Sequence, residues 1–254
     1  AETIAALKKY KETEKISLQE FQKINRHNIT IIEKALKGHF IIPDFQNFCK
    51  EIIKIYEKTK KITEGKVASY IPELGKVSPD KYAISVCTID GQRFNIGDFD
   101  ENYCIQSTSK PINYCIALEE NGEKNVHEHT GREPSGQGFN ELTLNKDHLP
   151  HNPMINAGAI MSCSLIQPKQ NAKKRLSHIL DIWQDLTGGK RPGFDKNVYI
   201  SERETADRNF ALGYFMKENG AFPENTNLVE TLELYFQCCS IELNTQNHAI
   251  VGAT

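Results

Sequence analysis

The sequence predicts an α+β chain, with a small all-helical region over residues 1–64 followed by a larger mixed region over 65–254. Three observations carry that prediction. Apolar residues recur at helical spacing through the first region. One Asp-Gly pair stands between two strand-like runs. Beyond it, helical stripes are separated by joints rich in Gly, Pro and Asn. With 254 residues, 39% hydrophobic and 25% charged, the chain can bury a sizeable core and has an ordinary globular composition. A net charge of −2 gives no general attraction to nucleic acid or acidic membranes. No apolar run approaches the length of a membrane span.

In the first region, Ser17-Leu-Gln-Glu20 reads as a capping box opening a helix with Leu18, Phe21 and Ile24. Pro43-Asp44 opens another, with Phe45, Phe48, Cys49, Ile52, Ile53 and Tyr56 on one stripe. The module is similar to a degenerate EF-hand pair without a calcium loop. The nearest approach, Asp98-Phe-Asp100-Glu-Asn102, has Tyr103 where such a loop needs glycine and Ser109 where it needs glutamate. The lysine-rich stretches 8–15 and 58–66 read as solvated helix faces. Seven cysteines without a C-x-x-C pair, mostly within apolar runs, point to reduced, buried thiols.

The second region begins with a hairpin, 82–89 and 92–96 around Asp90-Gly91. A helix follows, starting near Ser107 and stopping near Gly122. Residues 133–153 read as a long loop, of a length that is often functional. A helix from Pro153 through Ile160 is built of small residues. Leu176, Ile179, Leu180, Trp183 and Leu186 mark the next, ended by Gly188-Gly189. Ser201-Glu-Arg-Glu204 reads as a second capping box whose helix runs to Gly220. A last full helix spans 226–241, and 247–254 begins one more.

Cys104-Ile-Gln-Ser-Thr-Ser-Lys-Pro111 carries the chemistry. Ser107 and Lys110 stand three apart at a helix start, and positions i and i+3 share a helix face. Serine needs an adjacent base to act as a nucleophile. Lysine can serve once burial lowers its pKa. Pro111 is tolerated in a first turn, and the free N–H groups there suit an oxyanion. Ser78-Pro-Asp-Lys81 has the same spacing, but Pro79-Asp80 is turn chemistry. Glu202 and Asn209, seven apart, would project from one helical stripe, and Asn156 could equally cap its own helix. His127-Glu-His129 lacks a third ligand and reads as a solvated turn. His148 and His151 read as loop hydrogen-bonding residues.

Six runs resemble the serine-dependent glutaminases of the β-lactamase-like fold: Gly65-Lys-Val-Ala-Ser-Tyr-Ile-Pro72, Ser85-Val-Cys-Thr-Ile-Asp-Gly-Gln-Arg93, Gln106-Ser-Thr-Ser-Lys-Pro111, Glu133-Pro-Ser-Gly136, Pro150-His-Asn-Pro-Met-Ile-Asn-Ala-Gly-Ala-Ile160 and Ser201-Glu-Arg-Glu-Thr-Ala-Asp-Arg-Asn-Phe210. The helical segment with Ile42-Pro-Asp-Phe45 is similar to the extra domain of the long, animal-type forms. The resemblance implies hydrolysis of glutamine without metal or organic cofactor, with Ser107 as nucleophile, Lys110 as its base and Tyr235 as a proton relay. It also implies that Glu202 receives the substrate ammonium and that Tyr70, Asn156 and Asn209 hold its carboxylate and amide, with Gln106 lining the pocket. Homodimers or homotetramers, activation by inorganic phosphate and a mitochondrial setting are implied too, with no targeting peptide in these residues. The run Phe139-Asn-Glu-Leu-Thr-Leu-Asn145 resembles the family's segment near the subunit contact, although Thr143 stands where many relatives have an aromatic. A later strand with a second oxyanion donor has no counterpart, so the expectation is a catalytic domain cut short at its C-terminus. Two other readings follow from the residues: a penicillin-binding or β-lactamase-type serine hydrolase, and a catalytically silent interaction module.

Overall fold

The computed structural model describes residues 9–10, 15–26 and 28–254, so the lysine-rich stretch 8–15 falls mostly outside them. Three helices come first: α1 (Leu18–Ile24), α2 (Ile29–Lys37) and α3 (Phe45–Thr59). The predicted capping box is present. The Ser17 hydroxyl accepts from the Glu20 N–H, and the Glu20 carboxylate accepts from the Ser17 N–H at 2.8 Å. Asp44 caps α3 by accepting from the Asn47 N–H. Tyr56 of α3 is buried and stacks on Tyr82, with ring centroids 5.2 Å apart.

That stacking brings α3 onto the predicted hairpin, β1 (Ala83–Cys87) against β2 (Arg93–Gly97), antiparallel with Ala83 opposite Gly97 and Cys87 opposite Arg93. The turn is one residue longer than an Asp-Gly pair alone. Thr88 N–H donates to Gln92 O, and Ile89, Asp90 and Gly91 form a three-residue loop with Gly91 at φ +87, where a side chain would be strained. The turn also ties down the segment before α3. Asp90 accepts from the Ile41 N–H, and Gln92 exchanges two bonds with the Ile42 backbone.

A second sheet corrects the expectation of a single hairpin. Strands β3 (Asn102–Cys104), β4 (Gly193–Phe194) and β5 (Ile241–Asn244) pair antiparallel, with β5 in the centre. Strands this short show no alternation of period two, so the sequence pattern could not reveal them. The helix expected through Ile241 ends earlier for the same reason, and Ile241 opens β5.

The remaining helices are α4 (Ser109–His127), α5 (Asn156–Leu165), α6 (Ala172–Leu186), α7 (Lys196–Glu204), α8 (Asp207–Glu218), α9 (Leu228–Cys239) and α10 (Thr245–Ala253). Gly122, expected to end α4, kinks it at φ +77 and the helix resumes. The capping box expected at Ser201 does not form. Asp195 starts the helix instead, accepting from the N–H groups of Asn197 and Val198, which puts Ser201 in the late turns of α7. The chain then breaks at Thr205-Ala206 before α8. All seven cysteines are free, and Cys163, Cys238 and Cys239 are buried as expected. Cys115 is exposed instead, lying off the buried face that Asn113, Ile116 and Ala117 give α4.

Helix α5 is the hub, packed against α4, α8 and α9 with all ten of its residues buried. It starts at Asn156 rather than Pro153, because 152–153 cross over its first turn. A Cβ on Gly158 would lie 1.9 Å from Asn152 O and 2.7 Å from Pro153 Cα. At the other end, side chains take up the terminal carbonyls. Arg175 Nε donates to Ile166 O at 2.9 Å, its Nη2 to Cys163 O, and Asn121 Nδ2 to Leu165 O at 3.1 Å. Gly158→Ala should therefore lower the unfolding free energy by roughly 2–3 kcal/mol through overpacking. Gly252→Ala in α10, where nothing lies within 4 Å of the added carbon, should cost nothing. Denaturant titration of the two variants checks both expectations.

Candidate active site

Seven residues singled out for substrate contact line one cleft. Tyr70, Gln106, Ser107, Asn156, Glu202, Asn209 and Tyr235 surround a cavity of about 330 Å³. Lys110 lies behind its wall, 4% exposed, and joins the group through a bond to Asn156.

Ser107 stands where the second sheet hands over to α4. Ile105 N–H donates to Ile241 O at 2.9 Å, a short 3-10 turn (Gln106–Thr108) follows, and α4 begins at Ser109. Two hydroxyls brace the turn, Thr108 to Ile105 O at 2.6 Å and Ser109 to Gln106 O at 2.8 Å. Gln106 sits at φ +48, a left-handed conformation that costs a residue with a side chain about 1 kcal/mol or more. Tyr70 holds it there, donating its hydroxyl to Gln106 Oε1 at 2.7 Å. The turn leaves Ser107 exposed while Ser109 and Lys110 are buried.

Lys110 Nζ donates to Asn156 Oδ1 at 2.8 Å, and Asn156 Nδ2 donates to Asn209 Oδ1 at 3.1 Å. This chain fixes the orientation of both amides. The amine is bonded to Asn156 rather than to Ser107, and it lies over the Phe139 ring at 5.7 Å. Burial lowers its pKa. Asn156 is the first residue of α5 and does not cap it; Ile155 holds the cap position.

Glu202 and Asn209 both face the cleft, but not from one stripe. They hang from α7 and α8, on either side of the break at Thr205-Ala206. Glu202 is 7% exposed, and its Oε2 has no hydrogen-bond partner among the described residues. Burial pushes its pKa up to about 6. Tyr235, on α9, is also part of the core, with its ring 5.9 Å from Phe236. The Cys239 thiol follows one turn on, and burial raises the pKa of both groups.

The cleft also holds residues that sequence reasoning did not select. Ile71, Phe139, Asn140, Thr205, Arg208 and Cys239 complete the lining. The i, i+4 spacing of Tyr235 and Cys239 was a usable signal. Phe139 and Asn140 open the run set aside for subunit contact, and Phe139 O accepts from the Asn156 N–H at 3.0 Å.

Other motifs resolve into structural roles. Lys81 of the second Ser-x-x-Lys match is exposed and pairs with Glu101 at 2.6 Å. His127 bonds to Tyr114 and to Thr130 O, His129 to Ala221 O, and His148 to Asn219. His151 Nδ1 is buried without a partner among the described residues. Cys104, Asp195 and Glu242 bring their side-chain tips within 4.8 Å of one another. Burial and the two carboxylates push the Cys104 thiol up to about 12, so it stays protonated at neutral pH.

The larger region is similar to known proteins. The family model described as Glutaminase matches residues 65–254. The chain is 41% identical to the mitochondrial liver isoform of glutaminase from Rattus norvegicus over 234 residues, which are 92% of this chain and 39% of that protein. A glutaminase of Trichormus variabilis is 41% identical over 201 residues, 79% of this chain and 59% of the relative. The crystal structure of Mglu in its native form shares the fold, with a TM-score of 0.73 at 33% identity over 79% of this chain and 48% of that one. The chain thus spans about two fifths of the rat protein and about half of the solved chain. The matched region contains every residue of the cleft, and the chain belongs to the glutaminase family.

Proposed function

We propose that this chain carries the catalytic machinery for hydrolysing L-glutamine to L-glutamate and ammonia through an acyl-enzyme on Ser107. The observation that carries this reading is the lone carboxylate oxygen of Glu202, buried on the same cleft as an exposed serine. A buried carboxylate without a partner is unfavourable until a cation arrives. The α-ammonium group of an amino acid supplies that cation. Asn209 spends its carbonyl oxygen on Asn156, which leaves its amide N–H groups to donate to the substrate carboxylate, beside the Tyr70 hydroxyl.

With its head group so held, glutamine presents its side-chain amide to Ser107. Lys110 takes the hydroxyl proton as the serine oxygen attacks the amide carbon, and lowered basicity from burial suits it to that task. The oxyanion forms at the start of α4, where the Ser107 N–H and the positive helix end stabilise it. Tyr235 passes a proton to the nitrogen so that it leaves as ammonia rather than amide anion. Water then hydrolyses the ester and releases glutamate. No cofactor takes part in this scheme.

A penicillin-binding or β-lactamase-type hydrolase would have no use for an ammonium acceptor, and a silent interaction module would have none for a lysine kept dry. The whole protein's properties are part of the same proposal: residues 1–64 as an EF-hand-like domain without calcium ligands, homodimers or homotetramers, stimulation by inorganic phosphate and residence in the mitochondrion. The liver-isoform relative supports the last of these.

Ser107→Ala in the intact protein should reduce ammonia release from glutamine by about 10⁴-fold or more, and turnover that survives it rejects the nucleophile. Glu202→Gln should lower kcat/KM by about 10²- to 10³-fold, because the substrate ammonium is left unpaired. The same variant should be more stable. The folded pKa of Glu202 lies above its ordinary value, so its penalty is absent below about pH 4.5 and grows as pH rises through 6. At neutral pH it reaches about 2 kcal/mol, which a thermal melt at pH 7.5 against pH 4.5 would reveal. In the unmutated protein, KM for glutamine should rise as pH falls through 6, and a flat KM over pH 5–7 removes Glu202 from the ammonium site.

A further inference from the structure

The substrate cleft occupies the N-terminal end of α5, and a second polar cavity, of about 300 Å³, lies at its C-terminal end. Arg175 lines this cavity and is 3% exposed. Its Nε and Nη2 cap the α5 carbonyls. Nη1 makes no hydrogen bond among the described residues, and no carboxylate there comes within ion-pair distance. Burying a cation without a counter-charge is unfavourable. The negative end of α5 offsets part of that. One donor edge of the guanidinium remains for whatever fills the cavity.

The other lining groups narrow what that can be. Asn125 contributes an exposed amide, while Glu224 and Glu230 contribute carboxylates. A plain oxyanion would satisfy Arg175 but meet those two acids. An apolar ligand would leave Nη1 without an acceptor. A molecule with a carboxylate at one end and an ammonium close by satisfies both charges at once. The volume suits one such small molecule.

We infer that this cavity binds a small zwitterionic amino acid, carboxylate on Arg175 and ammonium toward Glu224 and Glu230, as a second amino-acid site apart from the cleft. Calorimetric titration with glycine, L-glutamate and inorganic phosphate tests it in the Glu202→Gln protein, whose cleft lacks the ammonium acceptor. Arg175 itself is unsuitable for substitution, since it also caps α5. Asn125 and Glu230 are exposed, and melting curves verify that their variants fold.

Both amino acids should bind the Glu202→Gln protein. Adding Asn125→Phe, which fills the cavity, should abolish the signal, and adding Glu230→Gln should weaken it about tenfold, the worth of one favourable charge contact. Phosphate should bind more weakly than glycine and fail to displace it. The inference is overturned if neither amino acid binds the Glu202→Gln protein, or if binding is indifferent to both added substitutions and so belongs to the cleft. Tighter binding by phosphate, with displacement of both amino acids, overturns it in favour of a simple oxyanion. Ammonia release by the singly substituted Glu202→Gln protein separately tests the catalytic reading, so the two can fail independently.

Discussion

A helix buried on every side must pass its terminal polar groups to partners from elsewhere in the chain, and α5 meets that constraint at both ends. Arg175 and Asn121 take its last carbonyls, while Phe139 O receives the N–H of its first residue. Most of the tertiary structure follows from housing this segment. Helices α4, α8 and α9 pack around it, and each of them brings a functional group to its N-terminal end. Lys110 comes from α4, Asn209 from α8 and Tyr235 from α9, with Asn156 of α5 in contact with the first two. The cleft is thus the place where the hub helix begins.

The same cleft gathers several features that are unfavourable alone. It is lined by a carboxylate oxygen with no partner among the described residues and a glutamine in a left-handed conformation, and backed by a lysine withdrawn from water. Two of these are held by neighbours, Tyr70 on Gln106 and Asn156 on Lys110, while burial leaves Glu202 uncompensated. Strain and desolvation gathered at one concave site are the physical mark of a place prepared for a ligand.

Local chemistry made much of this legible before any coordinates. Ser17 and Asp44 act as caps because short polar side chains compete for free N–H groups wherever a stripe begins. Asp90-Gly91 turns because Gly91 alone can take φ +87 there. Ser107 and Lys110 were found by spacing, and the run of matching motifs supplied the other cleft residues. Pattern failed where partners are distant. Strands β3, β4 and β5 are too short to show a period, and each exists only through the others. The Ser201 box failed because its four residues fit the interior of a helix as well as its start, and Asp195 stood ready six residues earlier. Phe139 reaches the cleft through folding that no local window contains.

The interruption at Thr205-Ala206 gives the cleft a measuring property. Had Glu202 and Asn209 shared one continuous helix, the rise per turn would set their separation, and no change elsewhere could alter it. Because they hang from two rods joined by a bend, the angle between those rods sets the gap. Any shift of α8 relative to α7 would therefore change the spacing of the two side chains across the cleft.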